Sequence, residues 1–239
     1  MLDDLGVGTA AIAIAAMAVG SAFQAALGIG LAQFVVPVLA LVDTRFVPGP
    51  MLLAGTVLAA MTAYQERSAI DKQGLGFSLI GLAVGTVVGA IALRFVVGPN
   101  VPRVFGIIVL IAVLISAFGI RMTADRRNLV LGGAAAGVMG TMVGIHGPPI
   151  SLVFQGAEPK AARAMLGAFF AIAYLGSVGA LALFGLFGHA ELERTVVLLP
   201  GVAIGLAVAP LARRFIDRGR LRIAILGVAA ISGALLALK

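Results

Sequence analysis

The polar side chains that this chain keeps away from its loops are neutral dipoles: Gln24, Gln33, Thr56, Thr62, Thr141, His146, Ser151, Gln155, Tyr174 and Ser177. No Asp, Glu, Lys or Arg falls well inside an apolar stretch, and Arg94 lies near enough to an end for its head to reach polar surroundings. Such a set donates hydrogen bonds but offers no carboxylate to a cation, whereas proton pumps and sodium-coupled carriers usually keep one. The second chemical feature is a pair of breaks, Gly28-Ile29-Gly30 with Pro37, and Gly144-Ile145-His146-Gly147-Pro148-Pro149. A helix interrupted there leaves free N–H groups at the start of its second half. Glycine lets a ligand approach that backbone, and aligned peptide dipoles make the end about half a unit positive. Two such ends meeting at mid-membrane would make one site for a small anion. The competing reading is that both breaks are packing kinks whose backbone groups are satisfied by neighbouring helices.

On the first reading the contacts come from Gly28, Ile29, Gly30 and Gln33 at one break, and from Gly144, Ile145, His146, Gly147 and Ser151 at the other. Pro148 and Pro149 suit a first helical turn, where a missing donor is tolerated. His146 is the only histidine at membrane depth; with an ordinary pKa of about 6.5 it can donate to an anion, carry a proton, or hold a carbonyl in the kink. Gln24, Thr141 and Gln155 rank behind these, because a polar helix residue often serves only to join helices, and Tyr174 is a further candidate. Thr56 and Tyr174 lie on helices that would wall the site.

Catalysis is not expected. There is one such histidine and no carboxylate near it, and no GxSxG, HExxH or aspartate-rich cluster. Gly6-Val7-Gly8 and Gly28-Ile29-Gly30 lie in apolar helical stretches without a preceding strand, so they are not nucleotide loops. No catalytic residue, metal or cofactor follows from these residues, and cysteine is absent.

The elements that must position these residues are membrane helices. Charged residues are 11% of the 239 and hydrophobic ones 61%, with a mean hydropathy of +1.14; a water-soluble domain carries about 25% charged residues. Continuous apolar runs exclude a β-barrel, whose strands alternate. Residues 5–42 and 128–157 are charge-free runs of 38 and 30. As straight helices they would reach roughly 57 and 45 Å, against a hydrocarbon core of about 30 Å. Further apolar segments fall at 46–65, 73–97, 104–120, 164–188, 195–212 and 223–238. The acidic start, Met1-Leu2-Asp3-Asp4, does not read as a cleavable leader.

If both long runs fold into hairpins that begin and end on one side, that side holds Arg45, Arg94, Arg103, Arg194 and Lys239, and the other side holds the remaining 12 of 17 Lys and Arg. If both crossed once, the split would be 10 to 7. The bias toward positive cytoplasmic loops therefore favours hairpins, with both termini outside the cell, and accounts for most of the +7 charge without nucleic acid. One hairpin plus three crossings is odd, so a second copy of the unit would start from the opposite face. The chain looks duplicated at an offset of about 116–120: Gly28 lines up with Gly144, and Gly81, Gly85, Arg94 and Phe95 with Gly201, Gly205, Arg214 and Phe215. The expected fold is an all-α integral membrane bundle of two inverted repeats, 1–122 and 129–239, each opening with a broken or re-entrant hairpin.

The segment Gly20-Ser21-Ala22-Phe23-Gln24-Ala25-Ala26-Leu27-Gly28-Ile29-Gly30, followed by Pro37, resembles the first glycine-rich motif of the sulfite exporter TauE/SafE family, also called the toluene-sulfonate uptake permease family. Gly137-Val138-Met139-Gly140-Thr141-Met142-Val143-Gly144-Ile145-His146-Gly147-Pro148-Pro149 resembles the second motif. The first motif departs from the pattern in running on as Leu31-Ala32-Gln33 rather than glycine, and His146 interrupts the second. The resemblance implies a multi-pass permease of the bacterial inner membrane that moves small sulfur-containing anions such as sulfite, sulfoacetate or other organosulfonates. An anion channel, or a membrane assembly subunit, is the alternative. The partners expected are the small anion, the lipid bilayer and a second copy of the chain.

Overall fold

The computed structural model describes residues 6–28, 31–96, 98–118, 122–215 and 218–238, and among these the chain is helical without strands. The first long run divides into α1 (Val7–Leu27) and α2 (Leu31–Val42), the second into α6 (Arg126–Val143) and α7 (Gly147–Phe154). Between and after them lie α3 (Gly49–Gln65), α4 (Lys72–Arg94), α5 (Asn100–Phe118), α8 (Pro159–Leu183), α9 (His189–Phe215) and α10 (Arg218–Ala237). Helix starts carry the expected signals. Asp71 accepts from the N–H groups of Gln73 and Gly74 at the head of α4, Asp125 accepts from Asn128 at the head of α6, and Pro159 opens α8. α9 begins earlier than the apolar pattern suggested, because its charged first turns pair internally: Arg194 with Glu191, and His189 with Glu193. Among the described residues, five helices (α1, α4, α5, α8 and α9) contain stretches long and apolar enough to cross a membrane. Their exposed side chains include many Ile, Leu and Val residues, as suits a lipid-facing surface.

Both long runs double back. Phe23 of α1 meets Phe34 of α2 edge to face at 5.7 Å, and Gly20 packs on Val35. A Cβ on Gly132 of α6 would lie 3.0 Å from Val153 of α7. The loops sort into two ends accordingly. At one end Arg163 pairs with Glu66, Arg126 lies over Phe77, and Met122 N–H donates to the Leu152 carbonyl. At the other, α9 packs on the turn Thr44–Phe46, Phe187 packs on Gly49, and Arg94 lies over Phe184.

Helix pairings repeat when each helix is replaced by the one five places along. α4 packs on α6 as α9 does on α1, α3 on α9 as α8 on α4, and α2 on α10 as α7 on α5, while α3–α8 and α5–α10 map onto themselves. The first of these pairings is set by glycine. A Cβ on Gly81 or Gly85 would collide with the carbonyl oxygens of Val130 and Ala134 on α6. On Gly201 or Gly205 it would come 2.5 Å from the carbonyl oxygens of Ile14 and Ala18 on α1. Backbones approach this closely only where no side chain intervenes, which is how small residues bind helices together in lipid.

Candidate functional site

Each hairpin turns on a left-handed glycine. Gly28 (φ +83°) caps α1 and Gly144 (φ +89°) caps α6, and each donates its N–H to the carbonyl four residues back, Gln24 and Gly140, at 2.7 Å. Only glycine takes this conformation without steric cost, hence its use to end a helix. The two turns lie against different ends of the bundle. A Cβ on Gly28 would lie 2.8 Å from Cγ of Arg163, near the start of α8; one on Gly144 would lie 3.1 Å from Met51 and 3.9 Å from Pro48, at the start of α3. Arm length is the reason. α1 has 21 residues and α6 has 18, so at 1.5 Å per residue each runs about 27–31 Å before it breaks.

A small cavity, with space for about one water molecule, lies between the hairpins. It is lined by Gln24, Ala32 and Gln33 of the first hairpin, Gly147 and Ser151 of the second, and Phe170 and Tyr174 of α8. Gln24 and Tyr174 are only 2% and 1% exposed, yet no described residue hydrogen-bonds the Gln24 amide or the Tyr174 hydroxyl. Gln33 donates to Ser116 on α5 at 2.8 Å, and the Ser151 hydroxyl donates to the Pro148 carbonyl at 3.0 Å. Gly147 opens α7 with its N–H, while Pro148 and Pro149 have none to offer. Phe170 stacks on Tyr174 with centroids 5.6 Å apart, and Gly55 lets the Tyr174 ring approach α3 to 3.1 Å from a built Cβ. The lining is thus neutral, with donors from both halves of the chain.

His146 stands behind this cavity. Its ring is fully buried and lies in a space on α6 that a Cβ on Gly140 would fill. Nε2 is 3.0 Å from the Ser177 hydroxyl, which is 2.8 Å from the Thr141 hydroxyl, and the ring centroid is 5.2 Å from that of Tyr174. Nδ1 is buried and has no hydrogen-bond partner among the described residues. With Nδ1 protonated, Ser177 donates to Nε2 and Thr141 donates to Ser177. That chain ties α6, α8 and the second turn together.

Of the candidates read from sequence, Gln24, Gln33, Gly147, Ser151 and Tyr174 come together around one space. Gly28 and Gly144 form the turns rather than the lining, Ile145 is packed in the core, and His146 and Thr141 form the chain beside Tyr174. Gln155 is exposed at the end of α7. Ile29 and Gly30 lie outside the described residues. Thr56 and Thr62 donate to carbonyls of their own helix. Sequence reasoning passed over Ala32, Phe170 and Arg163. For Arg163, Phe170 and Tyr174 the signal was their spacing of seven and four residues, which places all three on one face of α8.

A family model described as Sulfite exporter TauE/SafE matches residues 12–236. Neither a curated protein nor a solved structure matches the chain. Since the matched region takes in both broken hairpins, the small-residue interfaces and every helix that lines the cavity, the chain belongs to the sulfite exporter TauE/SafE family of multi-pass membrane transporters.

Proposed function

We propose that this chain carries small sulfur oxyanions, sulfite or an organosulfonate such as sulfoacetate, across the bacterial inner membrane, and that it works as an exporter by alternating access. The observation that carries this reading is the cavity between the hairpins, lined by the buried residues Gln24 and Tyr174, whose amide and hydroxyl no described residue hydrogen-bonds. As it stands the cavity has space for about one water molecule; an opening that admits a small oxyanion would bring several acceptor oxygens to these two donors. The Gly147 N–H lies on the same wall, beside the Ser151 hydroxyl, which would have to turn from the Pro148 carbonyl to donate to a ligand. Neutral donors hold an anion without the fixed charge that would retain it, as a carrier requires. His146, Ser177 and Thr141 position the Tyr174 ring rather than touch the ligand.

The exchange of helix pairings between α1–α5 and α6–α10 supports two inverted repeats, and rocking one against the other would open the cavity to each side in turn. The sorting of loops into two ends supports hairpins with both termini outside and the Glu66–Arg163 end in the cytoplasm. An inside-negative potential contributes about 2.3 kcal/mol per charge per 100 mV, which drives an anion outward.

Purified protein in liposomes, given labelled sulfite and a small organosulfonate, should show saturable flux that responds to an imposed potential. Gln24→Leu and Tyr174→Phe should each raise KM about tenfold, the loss of one buried hydrogen bond to a charged ligand. His146→Ala should lower the thermal midpoint while changing KM less. Folded protein without flux of either anion would rule the reading out.

A further inference from the structure

The cavity is neutral, and the charged group nearest to it along α8 belongs to neither hairpin. Arg163, Phe170 and Tyr174 share a face of α8, so the Arg163 backbone lies about 10 Å along the axis from that of Phe170, a cavity wall. The Arg163 stem covers Gly28, whose N–H is bonded to the carbonyl of Gln24, another cavity residue. Its head pairs with Glu66, just past the end of α3, and so joins the two halves of the chain. The pair is loose for its type. Nε and Nη2 both reach one carboxylate oxygen, Oε1, at 3.3 and 3.1 Å, rather than meeting two oxygens side by side at about 2.7–2.9 Å. Both side chains retain some access to solvent, at 27% and 22%.

We propose that Arg163 is the charged step between solution and the neutral cavity, and that it selects for oxyanions over halides, with Glu66 as the counter-ion the substrate displaces. The inference rests on the transport reading above. A sulfite or sulfonate group presents two oxygens to the Nε/Nη2 edge of guanidinium, a bidentate fit that a spherical halide and a lysine head both lack. On binding, Glu66 gives up the guanidinium; once the anion has moved on to the donors of the cavity, Glu66 takes it back and closes that end between α3 and α8. Gly28 matters here because any side chain at its position would push the Arg163 stem aside.

The test is sulfite flux, with chloride as competitor, in liposomes holding the full chain as wild type, Arg163→Lys, Arg163→Met, Glu66→Gln, and the exchanged pair Glu66→Arg with Arg163→Glu. Folding of each is checked by its elution profile and thermal midpoint. Arg163→Met, which keeps most of the stem, should raise the sulfite KM about tenfold, and Arg163→Lys should do so partly while losing discrimination against chloride. Glu66→Gln should lower the sulfite KM, because the competing carboxylate is gone. The exchanged pair should fold yet fail to transport. Restored transport in the exchanged pair would reduce the two residues to a tether and overturn the proposal. So would a wild-type KM in Arg163→Met. A wild type that moves no sulfite would overturn the transport reading and this one together, whereas wild-type flux with an indifferent Arg163→Met would overturn only this one.

Discussion

The two broken hairpins begin alike and finish differently. Each runs a long arm to a left-handed glycine that bonds back to the fourth carbonyl before it, and each long arm is gripped by glycines of a helix from the other half. Past the turn they part. In the first, α2 continues for 12 residues with Leu31, Ala32 and Gln33 in its opening turn, all with N–H groups. In the second, α7 has 8 residues, opens on Gly147-Pro148-Pro149, and is preceded by a histidine locked to Ser177. The first hairpin therefore presents polar side chains to the cavity, Gln24 and Gln33, while the second presents a stiff backbone end and one hydroxyl. Repetition fixes the frame; the residues just after each break divide the chemistry.

The comparison can be broken most severely at the shared frame. Gly85→Leu on α4 and Gly205→Leu on α9 each force a side chain into a carbonyl of the facing long arm. Each should cost about 3 kcal/mol or more, the upper range for overpacking, with similar loss of monodisperse protein on size-exclusion chromatography. Unequal losses would show that the two interfaces are alike only in outline.

A smaller effect should separate the turns themselves. Gly28→Ala and Gly144→Ala both place a Cβ in the left-handed region, at a cost of about 1–2 kcal/mol. Gly144→Ala meets the flexible end of Met51 at 3.1 Å, whereas Gly28→Ala meets the Arg163 stem at 2.8 Å. The Gly28 variant should therefore show the lower thermal midpoint and also the higher sulfite KM. Equal midpoints and equal KM values would mean that Arg163 is free to move aside.

The smallest effect concerns how the hairpins start. α1 follows Gly6 without a side-chain cap, whereas α6 is capped by Asp125, whose carboxylate accepts from Asn128 N–H and from the Thr123 hydroxyl. These bonds hold the Asp125 carboxyl below its usual range. A lowered acid pKa stabilises the folded state above the unfolded value of about 3.9 and ceases to do so as pH falls through the folded value. Asp125→Ala should thus lower the thermal midpoint slightly at neutral pH, and its difference from wild type should begin to shrink below about pH 4 and be lost once the pH passes the lowered folded value. A difference that persists in acid would assign the effect to something other than the charged cap.

The family, the membrane class and the division into helices were legible in the residues, because each depends on local chemistry. Uninterrupted apolar runs require helices in lipid, glycine marks where those helices end, and the motifs around Gly28 and Gly144 belong to one family. The charge balance of the loops likewise pointed to runs that double back, as Phe23 on Phe34 and Gly132 on Val153 now show. Most of the cavity lining was also legible: Gln24, Gln33, Ser151 and Tyr174 as polar residues stranded in apolar helices, and Gly147 at the second break.

Tertiary structure alone decided how these parts meet. Composition shows that a helix is broken, but the height of the break depends on arm length and on the neighbour that receives it, so the turns came to rest beside Arg163 and Met51 rather than beside each other. The rotation of each helix about its axis, set by which glycine faces which carbonyl, turned Tyr174 and Phe170 toward the cavity and His146 toward Ser177. The pairing of Arg163 with Glu66, 97 residues apart, lies beyond any local pattern. Local rules act over a turn or two of chain, whereas a site shared by two halves is made by contacts between residues that only packing brings together.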